Sequence, residues 1–263
     1  TKCRKLILSS DLKVNMQEKN YGDITIIELE PIPKGLIAVE GLPDIGLVGV
    51  IASSFLIDTF NLKPVAVIKS HLMPPVQVVH MGVIVEPIKV FGNDSMVVIS
   101  SEVPIPTALI NSLATAIAQW LSEKRISMLI SLNGYPSQKR IDQNEPHVVA
   151  VANNPSLIDM IKQKNIEVLE DGFISGVFAL LMNELAAKGA NAVALIAQAF
   201  ENYPDPGAAA ASLKAMSGLI DMKLDLKPLL DKADEMRLSM SNLVQQTAAQ
   251  KQGIESPLTT MYR

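Results

Sequence analysis

The chain has 263 residues, 48% of them hydrophobic, and a formal net charge of −4 from 23 basic and 27 acidic side chains. That is enough apolar residue for a large core, so the chain is not disordered, and charges of both signs scattered along it give no basic groove for nucleic acid and no attraction to anionic membranes. A single cysteine, Cys3, excludes an intramolecular disulfide and a cysteine-based zinc site.

Residues 1–22 are mixed in character and read as a leader with one short strand at Lys5 to Ser9. The basic Lys2-Cys3-Arg4-Lys5 is followed only by Leu6 to Leu8, too short for a signal-peptide core, and a cytoplasmic protein is expected. Residues 23–225 read as one α/β domain. Ile24 to Leu29 and Leu36 to Val39 are β-type runs parted by a turn-rich Glu30-Pro31-Ile32-Pro33-Lys34-Gly35.

The stretch Gly41 to Phe60 then combines a turn, a capping residue and an apolar helix. Gly41 and Pro43 end the strand, Asp44 is a good N-cap, and a helix is expected from Ile45 onward. Gly46, Gly49 and Ser53 put small residues on one face, where another backbone can approach. The glycine spacing is neither the dinucleotide fingerprint nor a P-loop, and Asp44 would set a negative charge where a phosphate needs bare amides. The apolar run Ile45 to Ile57 is about 13 residues, short of the ~18 that span a bilayer, so it reads as a buried helix.

Short β-branched runs follow at Val65 to Ser70, Val76 to Val79, Val83 to Val85, Ile88 to Phe91 and Met96 to Ser100. The spacing Leu109, Leu113, Ile117, Trp120, Leu121 predicts a helix. Strands at Ser127 to Leu132, His147 to Ala152 and Ala192 to Ala197 alternate with helices from Ser156 to Gln163 and up to Lys188. Tyr203-Pro204-Asp205-Pro206-Gly207 opens an Ala-rich helix, with Asp205 as N-cap and Pro206 in the first position. This alternation predicts a three-layer α/β/α sandwich with a largely parallel sheet, and the hairpin-like strands of 76–91 as an antiparallel extension. Residues 226–250 read as an amphipathic helix, with Leu226, Leu229, Leu230, Ala233, Met236, Met240 and Leu243 on one stripe. Residues 251–263 have no period and read as a flexible tail that extends up to ~40 Å.

The strand-end rule for parallel sheets directs attention to Lys69-Ser70-His71, Ser101-Glu102, Asn133-Gly134 and the loop at Asp205. Glu102 as a general base with His71 as partner would suit a hydrolase or nucleoside phosphorylase; the alternative is that Glu102 and Asp205 cap nearby helices. The three histidines, His71, His80 and His147, lack metal-ligand spacing, and no G-x-S-x-G elbow occurs. No cofactor or metal is expected.

Gly41-Leu-Pro-Asp-Ile-Gly-Leu-Val-Gly, Met73-Pro74-Pro75, Ser101-Glu102-Val-Pro-Ile-Pro, Ser131-Leu-Asn-Gly, Gly172-Phe-Ile-Ser-Gly and Pro204-Asp-Pro-Gly-Ala-Ala together resemble the proteasome assembly chaperone family in its archaeal form. They stand in that family's order and cover roughly residues 35 to 235. The resemblance implies a phosphorylase/hydrolase-like α/β/α fold, and a homo-oligomeric, non-enzymatic protein that binds proteasome core-particle α-subunits. From the charge distribution, no nucleic-acid or membrane partner is expected. Met261-Tyr262-Arg263 matches the hydrophobic-Tyr-any-residue terminus with which proteasome activators and some assembly chaperones dock. The expectation is an assembly chaperone or activator-like adaptor anchored by that tail, with Gly41, Asp44, Gly46, Gly49, Glu102, Asp205 and Gly207 as structural motif residues. The alternative is a phosphorylase/hydrolase-type enzyme with a pocket around Glu102.

Overall fold

The computed structural model describes residues 16–236. Its elements in chain order are β1 (Gln17–Tyr21), β2 (Ile24–Glu28), β3 (Ile37–Gly41), α1 (Val48–Thr59), β4 (Lys63–Ser70), β5 (Val78–His80), β6 (Val83–Val85), β7 (Ile88–Gly92) and β8 (Met96–Ser101). There follow α2 (Thr107–Glu123), β9 (Met128–Pro136), β10 (Val148–Ala152), α3 (Ser156–Gln163), β11 (Glu167–Val168), α4 (Val177–Ala187), β12 (Ala192–Ala199) and α5 (Pro206–Leu219). A further helical segment occupies 227–236.

Ten strands form one sheet in the order β1-β2-β4-β7-β8-β3-β9-β12-β10-β11. It is mixed, not largely parallel: β8, β3, β9 and β12 pair in parallel at the centre, while five of the nine pairings, all toward the flanks, are antiparallel. The expectation failed for a physical reason. A strand–helix–strand unit fixes strand direction but not adjacency, and β4 does run in the same direction as β3 and β8. The tight turn at Gly92-Asn93-Asp94, where Asn93 Oδ1 accepts from the amides of Ser95 and Met96 at 2.8 and 3.0 Å, pairs β7 with β8 as a hairpin, and β7 lies between β4 and β8. The ribbon β5–β6 stands apart as a separate two-stranded sheet.

Gln17–Tyr21, inside the range read as a leader, is an edge strand. It is too polar to show as one, because its partners are on one side only and Lys19 is spent on an ion pair with Glu123, 2.8 Å away at the end of α2. Lys5 to Ser9 lies outside the described residues.

Strand alternation sorts the core onto the two faces of the sheet. Ala38, Val97, Ile99, Leu129 and Ala194 pack with α2 and α4. Val39, Val98, Ile130, Val193 and Leu195 pack with α1, α3 and α5. The predicted stripe of α2 is buried throughout, Leu109, Leu113, Ile117, Trp120 and Leu121 being fully covered. At about 1.5–3 kcal/mol for each fully buried large apolar side chain, that stripe is what holds a 17-residue helix to the sheet. Trp120 satisfies its indole N–H on Glu28 Oε1 at 2.8 Å, and Lys124 neutralises the same carboxylate at 2.7 Å. Burial would raise Glu28, but the hydrogen bonds from Lys124 and Trp120 hold its carboxyl below the usual range.

At the carboxyl end of β3 the backbone of α1 sits almost on the sheet. A Cβ on Gly41 would lie 2.3 Å from Gly49 O, one on Gly49 2.6 Å from Leu132 O, and one on Gly134 2.2 Å from Ile45 O. α1 begins later than expected. Ile45–Leu47 is a single 3₁₀ turn, Gly46 (φ 66°) and Leu47 (φ 51°) are left-handed, and regular helix starts at Val48.

Candidate functional site

The loop from β3 into α1 and the segment before α4 enclose a cleft of about 770 Å³ beyond the carboxyl ends of β3, β9 and β12. Its floor is polar for a reason of register. Glu40 lies opposite Ser131 in the parallel β3–β9 pair, and alternation puts Ser131 and Asn133 on the same face. The Glu40 carboxylate accepts from Ser131 Oγ and, at 2.9 Å, from the amide of Leu42; Asn133 Nδ2 donates to Ser131 Oγ at 2.9 Å. Glu40 is 1% exposed, and burial pushes its carboxyl up despite these donors.

Asp44 stands beside it. One carboxylate oxygen accepts from the amide of Gly49 at 3.1 Å, in the first turn of α1, and the other from the amide of Gly134 in β9. Asp44 therefore does cover one helical amide, but from five residues upstream, and it makes no side-chain cap to the 3₁₀ turn that follows it. Burial pushes it up to about 8, against the two amides, with Glu40 adding to the rise. The amides of Gly49 and Gly134 are therefore engaged by the protein's own carboxylate and not open to an anion. The walls are apolar, from Leu42, Tyr135, Val149 and Ile196 on the sheet side and Ile174 and Phe178 on the other. Phe173 lies on the rim, fully exposed.

The other sequence-derived candidates fall elsewhere. Glu102 bonds His80 Nε2 at 2.6 Å and Lys89 Nζ at 2.7 Å, and does not line the cleft; His71 faces Asp23 at 3.7 Å. The pairing of Glu102 with His71 is thus absent, because the β5–β6 ribbon brings His80 to Glu102 instead. Asp205 caps α5 by accepting from Ala208 N at 2.9 Å, and its own amide donates to Gly46 O at 2.7 Å. It also holds Arg140, 5% exposed, whose guanidinium stacks on Phe200 at 4.8 Å. Gly207 leaves room for that guanidinium: a Cβ there would be 2.6 Å from Arg140 Nη2.

Leu229 is buried against the α1/α3/α5 face, so the segment 227–236 begins by docking on its own domain; the rest of the predicted 226–250 helix, and Met261, Tyr262 and Arg263, lie outside the described residues. Among the described residues no group of three or more His, Cys, Asp or Glu is arranged to hold a metal ion. Glu40 and Arg140 escaped sequence reasoning. Glu40 left one signal, an acid inside an apolar strand run just before Gly41; Arg140 left none.

A protein built on this mixed sheet, with a cleft at its strand ends, has known relatives. The model of the PAC2 family matches residues 38–244, and the chain belongs to that family. The uncharacterized protein MJ0106 of Methanocaldococcus jannaschii is 25% identical over 210 residues, 80% of this chain and 86% of that protein. Two solved structures from Pyrococcus furiosus share the fold. PbaA, described as an archaeal homolog of proteasome-assembly chaperone, superposes with a TM-score of 0.74 at 22% identity, over 87% of this chain and 99% of its own. PbaB, described as an archaeal proteasome activator, gives 0.76 at 24% identity, over 84% and 98%.

Proposed function

We propose that the protein is a non-enzymatic, homo-oligomeric proteasome assembly chaperone or activator-like adaptor, cytoplasmic, with its α/β domain as platform and Met261-Tyr262-Arg263 as the anchor on core-particle α-subunits. The observation that carries this reading is its membership of the PAC2 family together with a fold shared over nearly the whole length of PbaA and PbaB. Met261-Tyr262-Arg263 supports it chemically: a Tyr ring can fill a small pocket on a partner, and several such segments on one oligomer would reinforce one another through effective concentration. Self-association has a candidate surface in the β5–β6 ribbon, which exposes Val79, Met81, Val83 and Ile84.

No helix among the described residues is long and apolar enough to cross a membrane. Against the phosphorylase/hydrolase-type alternative, Glu102 pairs with His80 and Lys89 and is not among the residues lining the cleft. The deciding experiment is capture of proteasome core particle or free α-subunits by the intact chain and by a chain ending at Thr260. Equal capture by both would overturn the anchoring role; capture by neither would overturn the proteasome reading.

A further inference from the structure

We propose that the strand-end cleft is a binding site for an amphiphilic cation, a primary ammonium head on an apolar or aromatic stem, the chemistry shared by a free arylalkylamine and a lysine side chain of a partner. The cavity comes first: about 770 Å³ lies within the roughly 300–1,000 Å³ of small-molecule sites, and apolar walls with a few polar groups on the floor are how such sites are made. Charge complementarity then selects the occupant. Glu40, Asp44 and Tyr135 are the titratable side chains among its described lining residues, and no Lys, Arg or His is among them. A carboxylate offers about four acceptor positions, and Glu40 and Asp44 each use two within the protein, so acceptor capacity remains for an N–H donor.

Anions are disfavoured twice. The Gly49 and Gly134 amides are taken, and a bound carboxylate or phosphate would meet two acids with no cation in the lining. An ammonium instead donates to the acceptor positions that the protein leaves unused on the two carboxylates. Tyr135 and Phe178 in the walls and Phe173 on the rim are aromatic lining residues, the side-chain type that suits a cation and an apolar stem.

The test is an NMR titration of the full-length protein at pH 8.5, following the amide signals of Gly134, Gly172 and Gly176. The probes are 4-phenylbutylammonium, 4-phenylbutyrate and a capped Phe-Lys dipeptide. The expected result is binding of the ammonium at least tenfold tighter than that of the carboxylate, with the shifts confined to the cleft. Ile174→Lys, which places a cation in the wall at a half-buried loop position, should weaken ammonium binding at least tenfold while leaving the rest of the spectrum folded. Val149→Trp, which fills the cleft without changing charge, should weaken both probes. The dipeptide arm separates the sources: binding comparable to the amine points to a partner's lysine, and its failure to bind points to a free amine. Equal or preferred binding of 4-phenylbutyrate, an ammonium affinity unchanged by Ile174→Lys, or no shift with either probe would overturn the proposal.

Discussion

Arg140 and Asp205 form a two-pronged ion pair in the interior, Nε to Oδ2 at 2.7 Å and Nη2 to Oδ1 at 2.9 Å, with side chains only 5% and 1% exposed. The same carboxylate accepts from the amides of Ala208 and Phe200, at 2.9 and 3.2 Å, so it joins the start of α5 to the end of β12. Asp205→Ala removes the cap and strands a buried guanidinium, a loss of about 3–5 kcal/mol. Asp205→Asn, which retains one acceptor for Ala208, should cost less. Urea denaturation of the two variants checks the order.

The backbone contacts around α1 predict a steep size dependence. Gly134→Ala would set a methyl 2.2 Å from Ile45 O, and Gly49→Ala one 2.6 Å from Leu132 O, so the helix must lift from the sheet in either case. Overpacking of about 1–3 kcal/mol or more is expected for each, read as a lowered thermal midpoint. Gly218→Ala meets nothing within 4 Å and should be neutral or slightly stabilising.

Asp44 predicts an unusual pH profile. Burial raises it from 3.8 to about 8, so the folded state binds more protons than the unfolded state between about pH 4 and 8. Its contribution therefore falls as pH rises through that window and levels off above it; Glu40, shifted in the same direction, adds to the slope. Glu28 and Glu123 are shifted down, and theirs is lost only as pH falls below the ordinary carboxylate range. Asp44→Asn should flatten the slope between pH 5 and 8, measured by denaturant titration at several pH values.

On the proposed reading of a homo-oligomer that engages several pockets at once, deleting Met261 to Arg263 should reduce core-particle capture about 100-fold and leave the mass of the assembly unchanged. Analytical ultracentrifugation alongside the capture assay separates the two effects.

Much of this fold was legible because local chemistry decided it. The α2 stripe and the Asp205-Pro206 helix start follow from spacing and capping within a few residues, and both sit where those signals put them. The sheet was misjudged because β7 inserts between β4 and β8, a long-range choice that no local pattern carries. The cleft was half legible. The strand-end rule pointed to Asn133 and Gly134 but also to Glu102, whereas Glu40 acquires its role only from its pairing with Ser131, 91 positions away.

Trp120 makes the protein its own reporter. It is the chain's single tryptophan, fully buried on the inner side of α2 and hydrogen-bonded to Glu28 across 92 positions of sequence, and it does not line the cleft. Its emission should therefore read the integrity of one face of the sheet without interference from a second indole. A ligand that fills the cleft without loosening that face would leave the emission unchanged. A variant that unseats β2 from α2 should red-shift it even where the secondary structure persists.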